Sequence, residues 1–406
     1  MSLIKLFLVL LLIINIVAST TINIATREGG FEKLCRNNVA PFYNNTGITV
    51  NIIAFNEADL REEMLSDLKK GSPYYDGFVG PGSEFYYLIK CPDCSPEIRP
   101  LIQPLTEWVR EDNDLAWYDI ATYERTITTV YGGEIFMVPL DADVVLLYYR
   151  TDILQQAGFD KPPDTWEEYI DMSRALQGID MNGDGTPDYA ACTGKMNSSK
   201  FDLNAYFFMG YVSSYLQYNG TRQGVFFDAA TMAPMSNTSA FAHAWSLYKQ
   251  ATYFGPQLTT DLWTSWDLFA AGRCAMVLSF GDILGLIKNT SVENVTSATI
   301  LPGSRQVYNR VTQQMEQCTA ELCPFMDEQG INRAPFATPG YAGYVSRFTK
   351  EERKKAAYDF LTFLAAPEQS DKAVFEGLGQ DIFRKSQLNS TLWFVHHYSN
   401  VTTINT

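Results

Sequence analysis

The sequence predicts an α/β fold made of two lobes joined by crossing strands, and three observations predict it. Short apolar runs alternate with helical periodicity through the first eighty or so residues, the signature of a parallel sheet. Residues 132–150, read as GGEIFMVPLDADVVLLYYR, place two apolar runs on either side of Pro139, Asp141 and Asp143. Proline has no amide hydrogen to give a sheet ladder, and two carboxylates do not belong in a core, so this break reads as a polar hinge between lobes. Finally, 406 residues with 46% hydrophobic composition are able to bury two domain-sized cores.

The elements follow in order. Residues 21–25 (TINIA) alternate and predict the first strand, residues 26–30 a loop, and residues 31–43 a helix. Gly47 turns the chain into a second strand at 48–55. A helix over 58–70 carries Leu60, Met64, Leu65 and Leu68 at helical spacing and stops at Gly71-Ser72-Pro73. A short third strand, 75–79, ends in the Gly80-Pro81-Gly82-Ser83 turn. After the hinge comes a short helix at 152–157. Thr165 with Glu168 three residues on forms a capping box, and Tyr169, Met172 and Leu176 continue that helix. Helices are expected over 201–218, 241–252 and 265–271, with strands at 189–193 and at 275–280 (AMVLSF). A strand at 299–301 runs into Pro302-Gly303, an expected second crossing. Polar residues 304–335 read as an inserted loop. After a strand at 343–346, Thr349 and Glu352 form a second capping box, opening a helix to Ala365 that Pro367 ends. A last helix reaches Phe375, and residues 377–380 are an expected third crossing.

Composition excludes some classes. The net charge of −15 argues against nucleic acid and anionic membrane as partners. His243, His396 and His397 are the only histidines, which works against histidine metal sites and Ser-His-Asp chemistry. Lys5 ahead of the apolar run 6–17, with small residues following, reads as a cleaved secretory signal over residues 1–18. No other apolar stretch of about 18 residues occurs, so the mature chain is expected to be soluble. Eight Asn-x-Ser/Thr sequons, at Asn44, Asn197, Asn219, Asn237, Asn289, Asn294, Asn389 and Asn400, exceed the roughly three that chance gives. They point to a glycosylated, secreted or extracellular protein, with a periplasmic location as the bacterial counterpart. Of seven cysteines, Cys91 with Cys94 and Cys318 with Cys323 are expected local disulfides, and Cys35, Cys192 and Cys274 leave one thiol over.

Residues 180–188 (DMNGDGTPD) place oxygen side chains at alternate positions, as a hard calcium ion requires, through Asp180, Asn182, Asp184, Thr186 and Asp188. Ala191 stands where an EF-hand has its glutamate. The expectation is therefore a short structural calcium loop, against the plainer reading of a Gly/Asp-rich turn.

Several motifs fall in a familiar order. They are YDG at 75–77, GEI at 133–135 leading to VPLD at 138–141, YYRTD at 148–152, AG at 157–158 with PPDTW at 162–166, GRCAM at 272–276, LPG at 301–303, and AAYDFL at 356–361 with Pro367-Glu368. Together, over about residues 20–385, they resemble the family 1 extracellular solute-binding proteins, the maltose-binding-protein-like receptors of ABC importers. The resemblance implies a two-lobed periplasmic-binding-protein type II fold with a ligand cleft between the lobes. It implies hinge closure on a ligand that touches both lobes. The expected division is residues 19–140 and 302–376 in the N-lobe, and 144–300 and 380–406 in the C-lobe. The family carries further helices after its third crossing, so the C-lobe is expected to be incomplete or the chain to be a fragment.

Site candidates follow from a general rule: in open α/β sheets ligands meet the loops beyond the carboxyl ends of the strands. The rule selects Arg27 and Glu28, Ser83 and Glu84, and Asp141 and Asp143. The resemblance points to the same loops and adds Asp282 and Tyr341. Trp263, Trp266 and Tyr341 offer flat faces for sugar rings, although core packing is the commoner role of any one aromatic. Three functions are weighed. The leading one is a non-enzymatic, monomeric binding protein for a small polar ligand, most simply an oligosaccharide, working with a membrane transporter or receptor. The second is the interaction ectodomain of a eukaryotic membrane receptor. The third is a glycan-active enzyme using a carboxylate pair such as Glu134 and Asp141.

Overall fold

The computed structural model describes residues 20–196, 204–220, 222–256, 262–281, 283–376, 378 and 380–389. The expected signal segment, Asn197, Asn400, Asp282, and Gly377 and Gly379 of the expected third crossing lie outside the described residues. The chain forms two compact units. The first runs up to Tyr118 and adds Thr122–Leu140 and Tyr341–Ser370; the second holds Asp119–Ala121, Asp141–Gly340 and the residues from Asp371 on.

In the first unit, β1 (Thr21–Arg27) pairs in parallel with both β2 (Thr49–Phe55) and β3 (Gly77–Pro81). A hairpin, β4 (Val130–Tyr131) and β5 (Glu134–Ile135), turns at Gly132 and Gly133, whose φ of 60° and 87° suit glycine. The next strand, β6 (Val138–Pro139), is the edge of a five-stranded sheet, so the missing amide hydrogen of Pro139 costs no ladder bond. Helices Gly30–Thr46, Glu57–Lys69 and Glu351–Ala365 cover the sheet, burying Ile22, Ile24, Leu60, Phe78 and Leu361. The buried carboxylate of Asp76 in the YDG motif accepts the amide of Asn23 at 2.9 Å, the Arg353 guanidinium at 2.5 Å and the Thr349 hydroxyl. That last bond revises the second capping box. Thr349 donates its hydroxyl to Asp76, and the helix starts one residue later than expected, with Lys350 as an N-cap that makes no side-chain bond.

The second unit is built on β7 (Ala142–Arg150). Running antiparallel to it are β9 (Cys274–Ser279) and β10 (Thr296–Ile300), while β8 (Tyr189–Ala191) lies parallel to β9. Trp166 stacks on Tyr211 at 3.6 Å between centroids, and its indole N–H donates to Ser214 at 3.1 Å. The Thr165 hydroxyl accepts from the Glu168 amide at 3.2 Å, the expected N-cap bond, while the Glu168 carboxylate accepts the amide of Asp164. The segment expected as a loop holds a hairpin of β11 (Gln306–Asn309) and β12 (Gln314–Gln317), next to the Cys318–Cys323 disulfide. Arg310 at its tip bonds Asp228 at 2.5 Å and the carbonyls of Leu216 and Gly224. Cys91 and Cys94 are bonded as expected; Cys192 and Cys274 are also joined, and Cys35 is the buried free thiol.

After a three-residue excursion at Asp119–Ala121, the chain leaves the first unit at Leu140–Asp141, within the stretch read as a hinge. The return differs from expectation: it comes at Gly340–Tyr341 and not at Leu301–Gly303. Gly303 gives its amide to Asp164 and takes that of Trp166, and β13 (Phe336–Pro339) adds antiparallel to β7, so residues 302–340 belong to the second unit. A further passage lies at Ser370–Asp371, before the expected 377–380.

Candidate functional site

In the first unit the carboxyl ends of β1 and β3 deliver Arg27 and the Gly82-Ser83-Glu84 turn to one rim. The amino end of the antiparallel strand β14 (Tyr341–Val345) arrives at the same rim, because Tyr341 pairs with Pro81 at the end of β3. β2 ends there too, and Asn56 then caps the Glu57–Lys69 helix by accepting the Asp59 amide at 3.0 Å. That cap sets Glu57 and Arg61 on the rim.

These side chains form one connected cluster. Phe31 and Tyr341 stack at 4.2 Å and 18°, and the Arg27 guanidinium lies 4.5 Å from the Tyr341 ring centroid and 5.1 Å from that of Phe31. Arg27 sits 3.6 Å from Glu57, which also accepts the Tyr341 hydroxyl and, at 3.2 Å, Nε of Arg61. Arg61 pairs with Glu84 and reaches Ser83 Oγ at 3.4 Å. Burial pushes the Tyr341 phenol well above its ordinary range against the opposing pull of Arg27, so it acts as a neutral donor. Two cations and two carboxylates neutralise one another here, leaving an aromatic wall with fixed dipoles and little net charge. Glu28 and Ser83 are exposed, and the Glu28 amide donates to Phe55 O at 2.8 Å.

The second unit holds the other candidates. Asp141 is buried, and its Oδ1 accepts the amides of Asp381 at 2.6 Å and Ala142 at 3.0 Å, so it braces backbone at the passage between units. Asp143 accepts the Thr338 hydroxyl at 3.1 Å from β13. Trp263 is 50% exposed and meets the buried Trp266 edge-on at 4.9 Å, three residues apart on the Leu262–Ala270 helix. Glu134, weighed above as an enzymatic carboxylate, accepts the Thr106 hydroxyl in the first unit.

In the expected calcium loop, Asp180 accepts the amides of Gly183 and Gly185 at 2.8 and 2.9 Å, and Asp184 that of Thr186 at 2.8 Å. Asp188 is buried against Arg273 at 3.0 Å. Among the described residues, three acidic, cysteine or histidine ligand atoms come within 4.8 Å of one another at Cys91, Asp93 and Cys94, where the sulfurs are already bonded to each other.

Phe31, Glu57 and Arg61 escaped the sequence analysis. The Glu57/Arg61 spacing of four was visible as a helical ion pair, but nothing local marked it as facing the strand ends.

Comparison with known proteins places this geometry. Residues 37–393 match the family model described as bacterial extracellular solute-binding protein. The fold is similar to that of an ABC-transporter solute-binding protein from Agrobacterium radiobacter K84 in complex with ribitol, at a TM-score of 0.73 and 18% identity over 95% of this chain and 85% of that one. It is also similar to maltose-bound MalE3 of T. maritima, at 0.68 and 17% over 93% and 85%, and to a solute-binding protein from Agrobacterium vitis S4 with bound D-mannitol, at 0.67 and 16% over 93% and 81%. Curated sequences match locally, two of them as follows. They are a probable ABC transporter-binding protein of Deinococcus radiodurans, 41% identical over 46 residues, and a lactose-binding protein of Rhizobium radiobacter, 41% identical over 61. Those matches cover 11% and 14% of this chain and the same shares of the two relatives.

Proposed function

The chain belongs to the bacterial extracellular solute-binding protein family, and from that premise we propose that it captures a small neutral sugar or polyol for an ABC-type importer or a membrane receptor. The observation that carries this reading is the self-neutralised rim of Arg27, Phe31, Glu57, Arg61, Glu84 and Tyr341. Stacked rings suit the C–H faces of a sugar or polyol, and paired carboxylates and guanidinia supply acceptors and donors for hydroxyls. A strongly charged ligand would have to break those pairs. Structures that bind ribitol, D-mannitol and maltose share the fold and support the same class. The family is one of binding proteins, which supports a non-enzymatic role.

A thermal-shift screen of ribitol, D-mannitol, maltose, amino acids and phosphates tests the proposal. Neutral polyhydroxy compounds are expected to raise the melting temperature, by linkage to the folded state. A shift produced by phosphates or amino acids alone would contradict it.

A secreted location is part of the same reading, supported by the apolar run 6–17 and by the exposure of all six sequon asparagines among the described residues, Asn44, Asn219, Asn237, Asn289, Asn294 and Asn389. Among those residues no helix is long and apolar enough to cross a membrane. Calcium at residues 180–188 is proposed with it. Its support is the alternate oxygen spacing together with Gly183 and Gly185 at φ of 77° and 80°, which fold the loop back on Asp180. Calcium is expected to raise the melting temperature and EGTA to lower it, with Asp180→Ala abolishing the difference. Equal melting in both would remove calcium from the account.

A further inference from the structure

We propose that Gln380, assisted by the indole of Trp266, is a ligand-binding side chain of the second unit that selects uncharged polyhydroxy compounds. The proposal rests on the solute-binding reading above and deepens it by naming a recognition group and what that group rejects.

Gln380 is 3% exposed, and among the described residues neither its Oε1 nor its Nε2 has a hydrogen-bond partner. A buried carboxamide wants both ends satisfied, and leaving each unmade costs about 1–3 kcal/mol. An apolar residue of similar size would avoid that cost, so the position asks for an explanation. The backbone here is tightly held. The amide of the next residue, Asp381, donates to Asp141 at 2.6 Å, and the Asp381 carboxylate accepts the Gly281 amide at 2.8 Å. A Cβ on Gly281 would lie 3.1 Å from that carboxylate, so the two groups pack closely. The carboxamide is therefore carried on a fixed piece of chain, the arrangement that preorganises recognition and lowers its entropic cost.

Trp266 supplies a second, independent observation. It is 3% exposed, and among the described residues its Nε1–H also has no partner. Its ring lies 6.5 Å from that of Phe280, the residue before Gly281, so the indole belongs to the same corner of the unit. On its other side stands the half-exposed Trp263.

A vicinal pair of hydroxyls fits a carboxamide: one donates to Oε1 while its neighbour accepts from Nε2. The carboxylates of Asp141 and Asp381, both buried, stand against a phosphate or carboxylate at this place. The ligand class is thus the uncharged polyol or sugar, and its phosphorylated form is excluded.

Titration calorimetry and thermal melting of the full chain and of Gln380→Leu test this, with ribitol, D-mannitol, maltose and D-mannitol 1-phosphate as probes. For a neutral probe that binds the wild-type chain, Gln380→Leu is expected to weaken affinity at least about tenfold, while the unliganded variant melts at the same temperature or higher. D-mannitol 1-phosphate is expected to bind at least about tenfold more weakly than D-mannitol. Trp266→Phe, which removes the indole donor and part of a buried ring, is expected to weaken the same probe, with a modest lowering of the unliganded melting temperature from the smaller ring. Unchanged affinity in Gln380→Leu, a fall of several degrees in its unliganded melting, or equal affinity for the phosphate would each overturn the inference while the solute-binding reading stands. A wild-type chain that binds none of the neutral probes would overturn both.

Discussion

Tyr341 shows how one side chain is set by long-range pairing. Its hydroxyl serves Glu57, its ring stacks on Phe31, and the Arg27 guanidinium lies over it. Removing only the hydroxyl, in Tyr341→Phe, is expected to cost about 1 kcal/mol of stability in urea unfolding. Tyr341→Ala also deletes the stack, and should weaken sugar or polyol binding about tenfold as well. A Tyr341→Ala protein with wild-type affinity would remove the rim from the ligand site. The strand-end rule pointed to Arg27, Ser83 and Glu84, and the family resemblance to Tyr341, and the structure brings these four to one rim. Glu57 and Phe31 were not legible in the sequence, since their place depends on which strands pair. Cys35 makes a separate prediction. Burial pushes its thiol up to about 12. Burial disfavours the thiolate, so this group's contribution to stability is complete below the ordinary thiol range and is lost as pH rises toward about 12. Ellman's reagent at pH 8 is expected to find no reactive thiol in the folded protein and one after unfolding without reductant. Rapid reaction of the folded form would contradict the burial.

Among elements, the strongest tie that spacing did not reveal is the Cys192–Cys274 disulfide. It joins the end of β8 to the start of β9 across 82 residues of chain, with Cα atoms 5.8 Å apart. Sequence spacing favoured the two local pairs because nothing local brings Cys192 to Cys274; the parallel pairing of β8 with β9 does. Replacing both cysteines by serine is expected to cost about 2–4 kcal/mol in reversible denaturant unfolding. A loss below about half a kcal/mol would mean that the sheet alone fixes this corner. The two capping boxes make a controlled pair. Both share the same pattern, yet Thr165 caps its helix and Thr349 turns to Asp76. Thr165→Ala is expected to cost about 1 kcal/mol through the lost cap. The same local pattern starts one helix directly after its threonine and the other a residue later.

At the scale of the whole molecule, the passage at Leu140–Asp141 falls in the stretch that Pro139 and Asp141 mark in the sequence. The return at Gly340–Tyr341 was not legible there, because Pro302-Gly303 looks like a crossing until its backbone bonds to Asp164 and Trp166 are seen. The hairpin at 306–317 was hidden by its polar composition, since a small hairpin held by Arg310 and a disulfide needs little apolar sequence. The order of motifs across the chain carried the family correctly even where single boundaries moved. Expression through a eukaryotic secretory route is expected to glycosylate exposed sequons, seen as a mass loss on enzymatic deglycosylation; an unchanged mass would contradict that part of the reading.

Capture of an uncharged sugar or polyol is decided by titration calorimetry of the full chain with ribitol, D-mannitol and maltose. Saturable binding of at least one of them is expected near one to one, with a dissociation constant on the order of micromolar or tighter. No heat and no saturation with any of the three at millimolar concentration, alongside clear binding of an anionic or amino-acid ligand, would contradict it.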